Sequence, residues 1–433
     1  MSFPRYPDYK DSGIQWLGEV PKHWSILRLK HVLAQITDRA SRRSNPIALE
    51  NIEGWSGRYV ETESDFSGEG VVFRAGDLLF GKLRPYLAKV YLSESPGEAL
   101  GDFHVMRPCV DLAPKFAFHQ LLQRQFISVV DGATYGAKMP RIGWEVMGNM
   151  PFLSPPISEQ ETIATFLDRE TTHIDALIEE QKRLIELLKE KREAVISNAV
   201  TKGLDPNVPM TDSGVEWLGE VPVHWDILPI WMMFELGRGR VISHSEMLDS
   251  NGRYPVYSSQ TERDGVMGNI DTYDFDGDYL TWTTDGANAG TVFRRHGKFN
   301  CTNVCGTLKP SRNDVDLDYL WSAVSISTKA FIRHDINPKL MNGVMASIRI
   351  PVPPAYEQKQ IAHHLSHSLS QMEPLAQEAD RLIARLQERR AALISAAVTG
   401  KIDVRNSHIP AVAYTESYAM AADPKRGYRA NSS

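Results

Sequence analysis

The 433-residue chain carries 48 Lys and Arg against 54 Asp and Glu, a formal net charge of −6, which argues against a protein that coats nucleic acid through bulk charge but leaves room for local basic patches. Hydrophobic residues make up 42% and charged residues 24%, the proportions of an ordinary soluble globular protein. Three cysteines are too few for a disulfide framework, no run of about eighteen apolar residues exists, and the first residues lack the apolar core of a secretory signal, so no membrane partner and a cytoplasmic location are expected.

In chain order, the first informative segment is DSGIQWLGEVPKHW at 11 to 24, which returns as DSGVEWLGEVPVHW at 212 to 225 with 11 of 14 positions identical. After each copy comes a middle segment unlike its counterpart. In 55 to 108, apolar runs such as VVF, DLLF and AKVYL are punctuated by Gly, Pro and Ser; in 254 to 310, YPVYSS, DYLTWTT, GTVF and CGTLKP do the same with other residues. That is a strand-and-turn pattern. Helices are expected at 116 to 130 and 319 to 331.

Each middle segment leads into a second duplicated stretch. SPPISEQETIATFL, running on to KREAVISNAVTKGLD, ends at 205; VPPAYEQKQIAHHL, running on to ERRAALISAAVTGKID, ends at 403. Ile174, Leu177, Leu184, Leu188 and Val195 recur at three-and-four spacing, as do Met372, Leu375, Leu382, Leu386 and Leu393, which predicts two long amphipathic helices that pair with one another. The Pro-Pro pairs fix an extended entry, Gly203 and Gly400 mark the exits, and Pro374 is expected to kink the second helix or to begin its main part. The expected architecture is α+β: two β-rich globular domains, at 11–153 and 212–351, joined by two long antiparallel-paired α-helices, at 154–204 and 352–403, in a pseudo-twofold internal repeat. A polar tail at 404–433 is expected to be disordered.

Signs of catalytic chemistry are weak. FSGEG at 66 to 70 has the form of a methyltransferase cofactor loop, but it follows no buried strand, and no Asn/Asp-Pro-Pro-aromatic motif lies downstream. There is no GxxxxGK[ST] phosphate loop. Cys301 and Cys305 near His296 lack a fourth metal ligand and are expected to be small buried thiols, as is Cys109. Asp274, Asp276 and Asp278 have no Lys at nuclease spacing and read as turn residues; His363, His364 and His367 have no acidic general base and read as a helix face. No catalytic residue, metal or cofactor is assigned to this chain.

Binding chemistry remains. GKLRPYLAK at 81 to 89 groups Lys82, Arg84 and Tyr86, whose side chains can read guanine edges, hold phosphates or stack. YSSQ at 257 to 260 and TTDGANAG at 283 to 290 offer Tyr257, Ser259, Gln260, Thr284, Asp285 and Asn288 in turns. Tyr135 and Lys138 in GATYGAK, and Lys339 in INPKLMNG, occupy equivalent places ahead of each Pro-Pro entry. Arg42 and Arg43 in one middle segment, and Arg294 and Arg295 in the other, form local basic clusters. All are DNA-binding candidates.

The W-L-G-E-V-P-x-H-W opening, the P-P-x-x-E-Q entry with Glu159 and Gln160 or Glu357 and Gln358, and the K-R-E-A/R-R-A-A exit, each present twice, resemble the specificity subunit of a type I restriction-modification system across residues 10 to 405. The resemblance implies two target recognition domains, each reading one half of a bipartite sequence in double-stranded DNA. It also implies helices that serve as a ruler and dock two methylation subunits, which restriction subunits join. S-adenosylmethionine, ATP and magnesium would then belong to the partner chains. Two other readings use the same residues: a self-sufficient methyltransferase-nuclease fusion, and a two-headed protein-binding scaffold.

Overall fold

The repeated opening folds into the same small ribbon twice. In the computed structural model, which describes residues 3–40, 45–62, 69–248, 252–312, 314–332 and 338–406, Tyr9–Asp11 pairs antiparallel with Glu19–Pro21, and Met210–Asp212 with Glu220–Pro222. The turn is built from the D-S-G triplet: Asp11 Oδ1 accepts from the Gly13 N–H at 2.9 Å, and Asp212 Oδ1 from the Gly214 N–H at 3.0 Å. A short acceptor side chain reaching two residues ahead is the standard way to fix such a turn.

Two compact units partition the chain, one of residues 1–180 and 382–433, the other of residues 181–381. In each, the dissimilar middle is closed at its base by a two-stranded clamp. Ser25–Arg28 pairs with Pro151–Ser154, Leu27 opposite Phe152, and Asp226–Pro229 pairs with Arg349–Val352, Leu228 opposite Ile350. A middle segment can therefore change without disturbing the strands that hold its two ends.

Between the clamps the units diverge. The first has two four-stranded sheets. One runs Leu33–Ile36, Phe103–Pro108, Leu78–Gly81, Val90–Leu92; the other runs Arg39–Ala40, Gly70–Phe73, Gly97–Leu100, Pro46–Ile47. Successive strand residues face opposite sides, and the cores follow that rule. Leu79 and Val105 join Ile47, Phe73 and Ala99 between the sheets, whereas Leu78, Phe80 and Met106 pack with Phe116 and Phe126 of the helices Pro114–Leu121 and Arg124–Gly132. The single helix expected at 116 to 130 is thus two, because buried Gln123 turns to extended backbone and stands at the N-cap position of the second, without a side-chain cap.

The second unit has one six-stranded sheet in the order Phe234–Arg238, Cys305–Pro310, Phe275–Thr283, Val292–Cys301, Tyr254–Tyr257, Val266–Ile270. Leu280, Trp282 and Leu308 face the helix Leu317–Lys329, started by Asp316, whose carboxylate accepts from the Asp318 and Tyr319 N–H groups. Tyr279, Phe299, Cys301 and Cys305 form a second cluster. Both of these cysteines are buried free thiols; Cys109, against expectation, is exposed, because it follows the strand Phe103–Pro108 where the chain leaves the sheet.

The closing repeats form helices Ile157–Lys202, 46 residues, and Ala355–Val398, 44 residues. Pro374 lies inside the second, which runs through it, so the loss of one amide donor neither ends nor starts that helix. In the first unit Ile174, Leu177 and Ile178 pack against Ile383, Leu386 and Leu393. In the second, Val195, Ile196, Ala199 and Val200 share a core with Ile361 and Leu365. The tail at 404–433, expected to be disordered, lies almost wholly outside the described residues, which end at 406.

Glu-Gln at each helix entry is the hook that joins repeat to repeat. Glu159 is buried and accepts from Trp24 Nε1 at 3.0 Å and faces His23 Nε2 at 2.8 Å; Glu357 does the same with Trp225 Nε1 at 2.8 Å and His224 Nε2 at 2.7 Å. Gln160 donates to the Pro155 carbonyl at 2.8 Å and accepts from the Ala113 N–H at 2.9 Å, and Gln358 donates to the Pro353 carbonyl and accepts from the Asp316 N–H, both at 2.8 Å. Negative charge in a first helical turn also complements the helix dipole. The exits close on the same tryptophans. Gly400, φ +69°, lies against Pro21 and Trp24, and Gly203, φ +77°, lies against Trp225. Each opening motif thus holds the entry of one long helix and the exit of the other.

Candidate nucleic-acid interface

In the first unit the chain brings two separate polar stretches to one place. Leu83 bridges to Arg141, the Arg84 N–H donates to the Pro140 carbonyl at 2.8 Å, and Tyr135 and Arg141 exchange backbone hydrogen bonds at 3.0 Å. The stretch with Lys82, Arg84 and Tyr86 therefore lies beside the one with Tyr135 and Lys138. Lys82 is half-buried, 4.0 Å from Asp102, while Tyr86 and Tyr135 are 46% and 65% exposed. Arg141 joins the group and was not foreseen; its guanidinium bonds Asp102 at 3.0 Å. Arg84 and Lys138 are exposed. Arg42 and Arg43 lie outside the described residues.

The second unit gathers three stretches. Asn288 Nδ2 donates to the Ser259 carbonyl at 2.9 Å, tying the turn at 283 to 290 to the one at 257 to 260. Asp285 bridges to Lys339, with carboxylate and ammonium 3.9 Å apart, and the Leu340 N–H donates to the Thr284 carbonyl at 2.9 Å. Within this group Thr284 is fully buried with its hydroxyl on Asp285, and Gln260 donates to the Val266 carbonyl. Lys339 is 51% exposed and Asp285 is also near Arg238, at 3.9 Å.

Arg294 and Arg295, adjacent on one strand, point to opposite faces. Arg294 pairs with Asp318 on the helix Leu317–Lys329, away from these turns. Arg295 is 2% exposed. Its guanidinium lies 3.6 Å from the Tyr257 ring and 4.5 Å from the Phe293 ring, donates to Thr281 Oγ1 at 3.2 Å and bonds Asp264 at 2.7 Å. Burial pushes the Tyr257 hydroxyl above its ordinary value, so it stays a neutral donor.

Beside this cluster the backbone is strained. Arg263 and Asp264 have φ of +49° and +56°, and in the first unit Arg84 has φ +50° and Ala88 +49°. Each left-handed non-glycine residue costs roughly 1–2 kcal/mol. Arg263 is exposed, and neither it nor Arg84 makes a side-chain hydrogen bond or ion pair with the described residues. Arg263 was missed because TERDG reads as an ordinary polar turn; nothing in its composition reports the left-handed backbone. Among the described residues no group of three or more His, Cys, Asp or Glu is placed to hold a metal, and no helix is long and apolar enough to cross a membrane. His363, His364 and His367 line an open hollow on the second long helix with Leu204, Lys359 and Gln360.

Comparison with known proteins gives these surfaces a context. Residues 222–380 match the family model of the type I restriction modification DNA specificity domain. Two type I specificity subunits of Mycoplasma pneumoniae, S.MpnORF201P and S.MpnORF615P, are 34% identical over 218 residues and 35% over 210, matching 50% and 48% of this chain and 82% and 76% of their own lengths. Of another from that organism, S.MpnORF507P, 42% identical over 133 residues, the match spans 30% of this chain and only 36% of the relative. A solved chain from work on complex assembly and conformational transition of the type I R-M system shares the fold, with a TM-score of 0.68 at 16% identity, covering 88% of this chain and 98% of that one. The chain belongs to the specificity subunits of type I restriction-modification systems.

Proposed function

We propose that this chain is the non-catalytic DNA sequence-recognition subunit of its complex. The first unit's middle, within 11–153, reads one half of a bipartite target; the second's, within 212–351, reads the other. The helical segments 154–204 and 352–403 form antiparallel pairs that set the distance between half-sites and, as a pseudo-twofold frame, hold two methylation subunits, which restriction subunits join in the cytoplasm. Methylation with S-adenosylmethionine and ATP-driven work with magnesium belong to those partners.

One observation carries this reading: the same Trp-Glu and Gln hooks recur in both units, while the sheets they support differ in strand number and order. A repeated surface suits a repeated partner, and unlike sheets suit unlike half-sites. In this reading Arg84, Tyr86, Tyr135 and Lys138 in the first unit, and Ser259, Asp285, Asn288 and Lys339 in the second, contact DNA. Arg295, Gln260 and Thr284 act by shaping that face. Arg294, which pairs with Asp318 away from these turns, and Arg42 and Arg43 stay DNA-binding candidates in this reading. The test is to purify the chain with its methylation partner and measure binding to duplex libraries. A preference for one bipartite sequence is expected; uniform affinity across random duplex would overturn the proposal.

A further inference from the structure

Only six non-glycine residues among those described have left-handed backbone: Asn45, Trp55, Arg84, Ala88, Arg263 and Asp264. Two are arginines, one in each unit, and each stands within the candidate interface of its unit. That coincidence has a structural cause in both places.

Arg84 leads into a short helical turn, Pro85–Leu87. Pro85 and Ala88 are buried, the Leu87 N–H donates to the Arg84 carbonyl at 3.0 Å, and the Ala88 N–H to the Pro85 carbonyl at 2.8 Å. These bonds fix the backbone and leave the guanidinium outside. Arg263 is fixed by its neighbour. Buried Arg295, held between the Tyr257 and Phe293 rings, bonds Asp264 at 2.7 Å, and the Ser258 N–H donates to the Gly265 carbonyl at 3.0 Å. With Asp264 pinned to the protein, Arg263 is turned outward.

A strained backbone that is held by its surroundings points to a required side-chain direction. A fixed root sets the direction from which the side chain reaches out, and the planar fork of an arginine matches the O6 and N7 acceptors of guanine in the major groove. We propose that Arg84 and Arg263 are paired specificity-determining residues, each reading a guanine in the half-site of its own unit, with Asp264 and Arg295 as positioning residues for Arg263. This rests on the function proposed above.

The experiment uses the full chain co-purified with its methylation partner, and maps methylated positions at base resolution on a randomised duplex library for wild type, Arg263→Ala, Arg263→Lys, Arg84→Ala and Asp264→Asn. For Arg263→Ala, preference at one guanine of one half-site should fall roughly five- to 150-fold, with the other half-site unchanged. Arg84→Ala should do the same in the other half-site. Arg263→Lys keeps the charge but not the fork, so it should relax the same position while preserving affinity for random duplex. Asp264→Asn should blunt the same position more weakly. If wild type is bipartite-specific and Arg263→Ala keeps the profile, or lowers methylation uniformly across sequences with a shallower salt dependence, Arg263 touches at most phosphate and the inference fails. If wild type itself shows no bipartite preference, the underlying function fails instead. Complex formation with the methylation partner separates loss of folding from loss of reading.

Discussion

At the scale of single residues, the hook between repeats rests on the balance of burial and hydrogen bonding at one carboxylate. Burial pushes the Glu357 carboxyl up, but hydrogen bonds from His224, Trp225 and Tyr356 more than offset this and hold it below its ordinary value. His119 is the opposite case. Its ring is wholly buried, and burial drives its pKa down although Asp168, 2.8 Å from Nε2, pulls it up; Nδ1 has no partner. The ring is therefore neutral, donating from Nε2. An unfolded histidine titrates near 6.5, so the unfolded chain takes up a proton first, and stability present above about pH 6.5 is lost as the pH falls below it. Hydrogen exchange of residues 114–132 should show weaker protection at pH 5.5 than at pH 7.5 in wild type. His119→Gln, which has no proton to gain, should lower protection at both values and flatten the difference; an equal pH dependence in the variant would remove His119 as its source.

At the scale of elements, the same repeat produces unequal contacts, and this marks how far the sequence could be read. The periodic leucines and isoleucines were enough to identify both long helices, since a stripe of that length admits no other element. The strands were legible as strands, but not the order in which they pair, because pairing depends on contacts far apart in the chain. Arg390 and Arg192 show the limit well: they stand at equivalent positions, as do Asp175 and Glu373. Arg390 is 11% exposed, bonds both oxygens of Asp175 at 2.8 and 3.2 Å, and donates to the Trp55 carbonyl at 2.9 Å; Arg192 is 46% exposed and 3.8 Å from Glu373. Trp55 belongs to an unrepeated segment, so the difference was invisible in the repeat. Arg390→Ala should cost about 1.5–3 kcal/mol in the first unit, through a lost charged, bidentate contact. Arg192→Ala should cost under about 0.5 kcal/mol, as exposed pairs do. Denaturant unfolding followed by unit-specific hydrogen exchange measures both, and equal losses would mean that the Trp55 contact adds nothing.

At the scale of the whole molecule, the question is whether the repeated helices do more than hold the units. If they set the spacing between half-sites, lengthening them should change the spacing and nothing else. Gln181 and Ala379 are equivalent positions in the two helices, close to where each passes from one unit to the other at 180/181 and 381/382. Four residues added at both points restore the helical face, since side chains four apart lie on one side. They leave the hooks at Glu159 and Glu357 and the two ion pairs untouched. An addition to one helix alone would leave its partner too short and should weaken assembly. Four residues extend a helix by about 6 Å, or roughly two base pairs of duplex. The double insertion should therefore yield methylation at a target with both half-sites intact and a spacer longer by about two base pairs. Base-resolution mapping of methylated sites reads half-sites and spacer together, and a changed half-site at constant spacer would show that the helices do not act as the ruler.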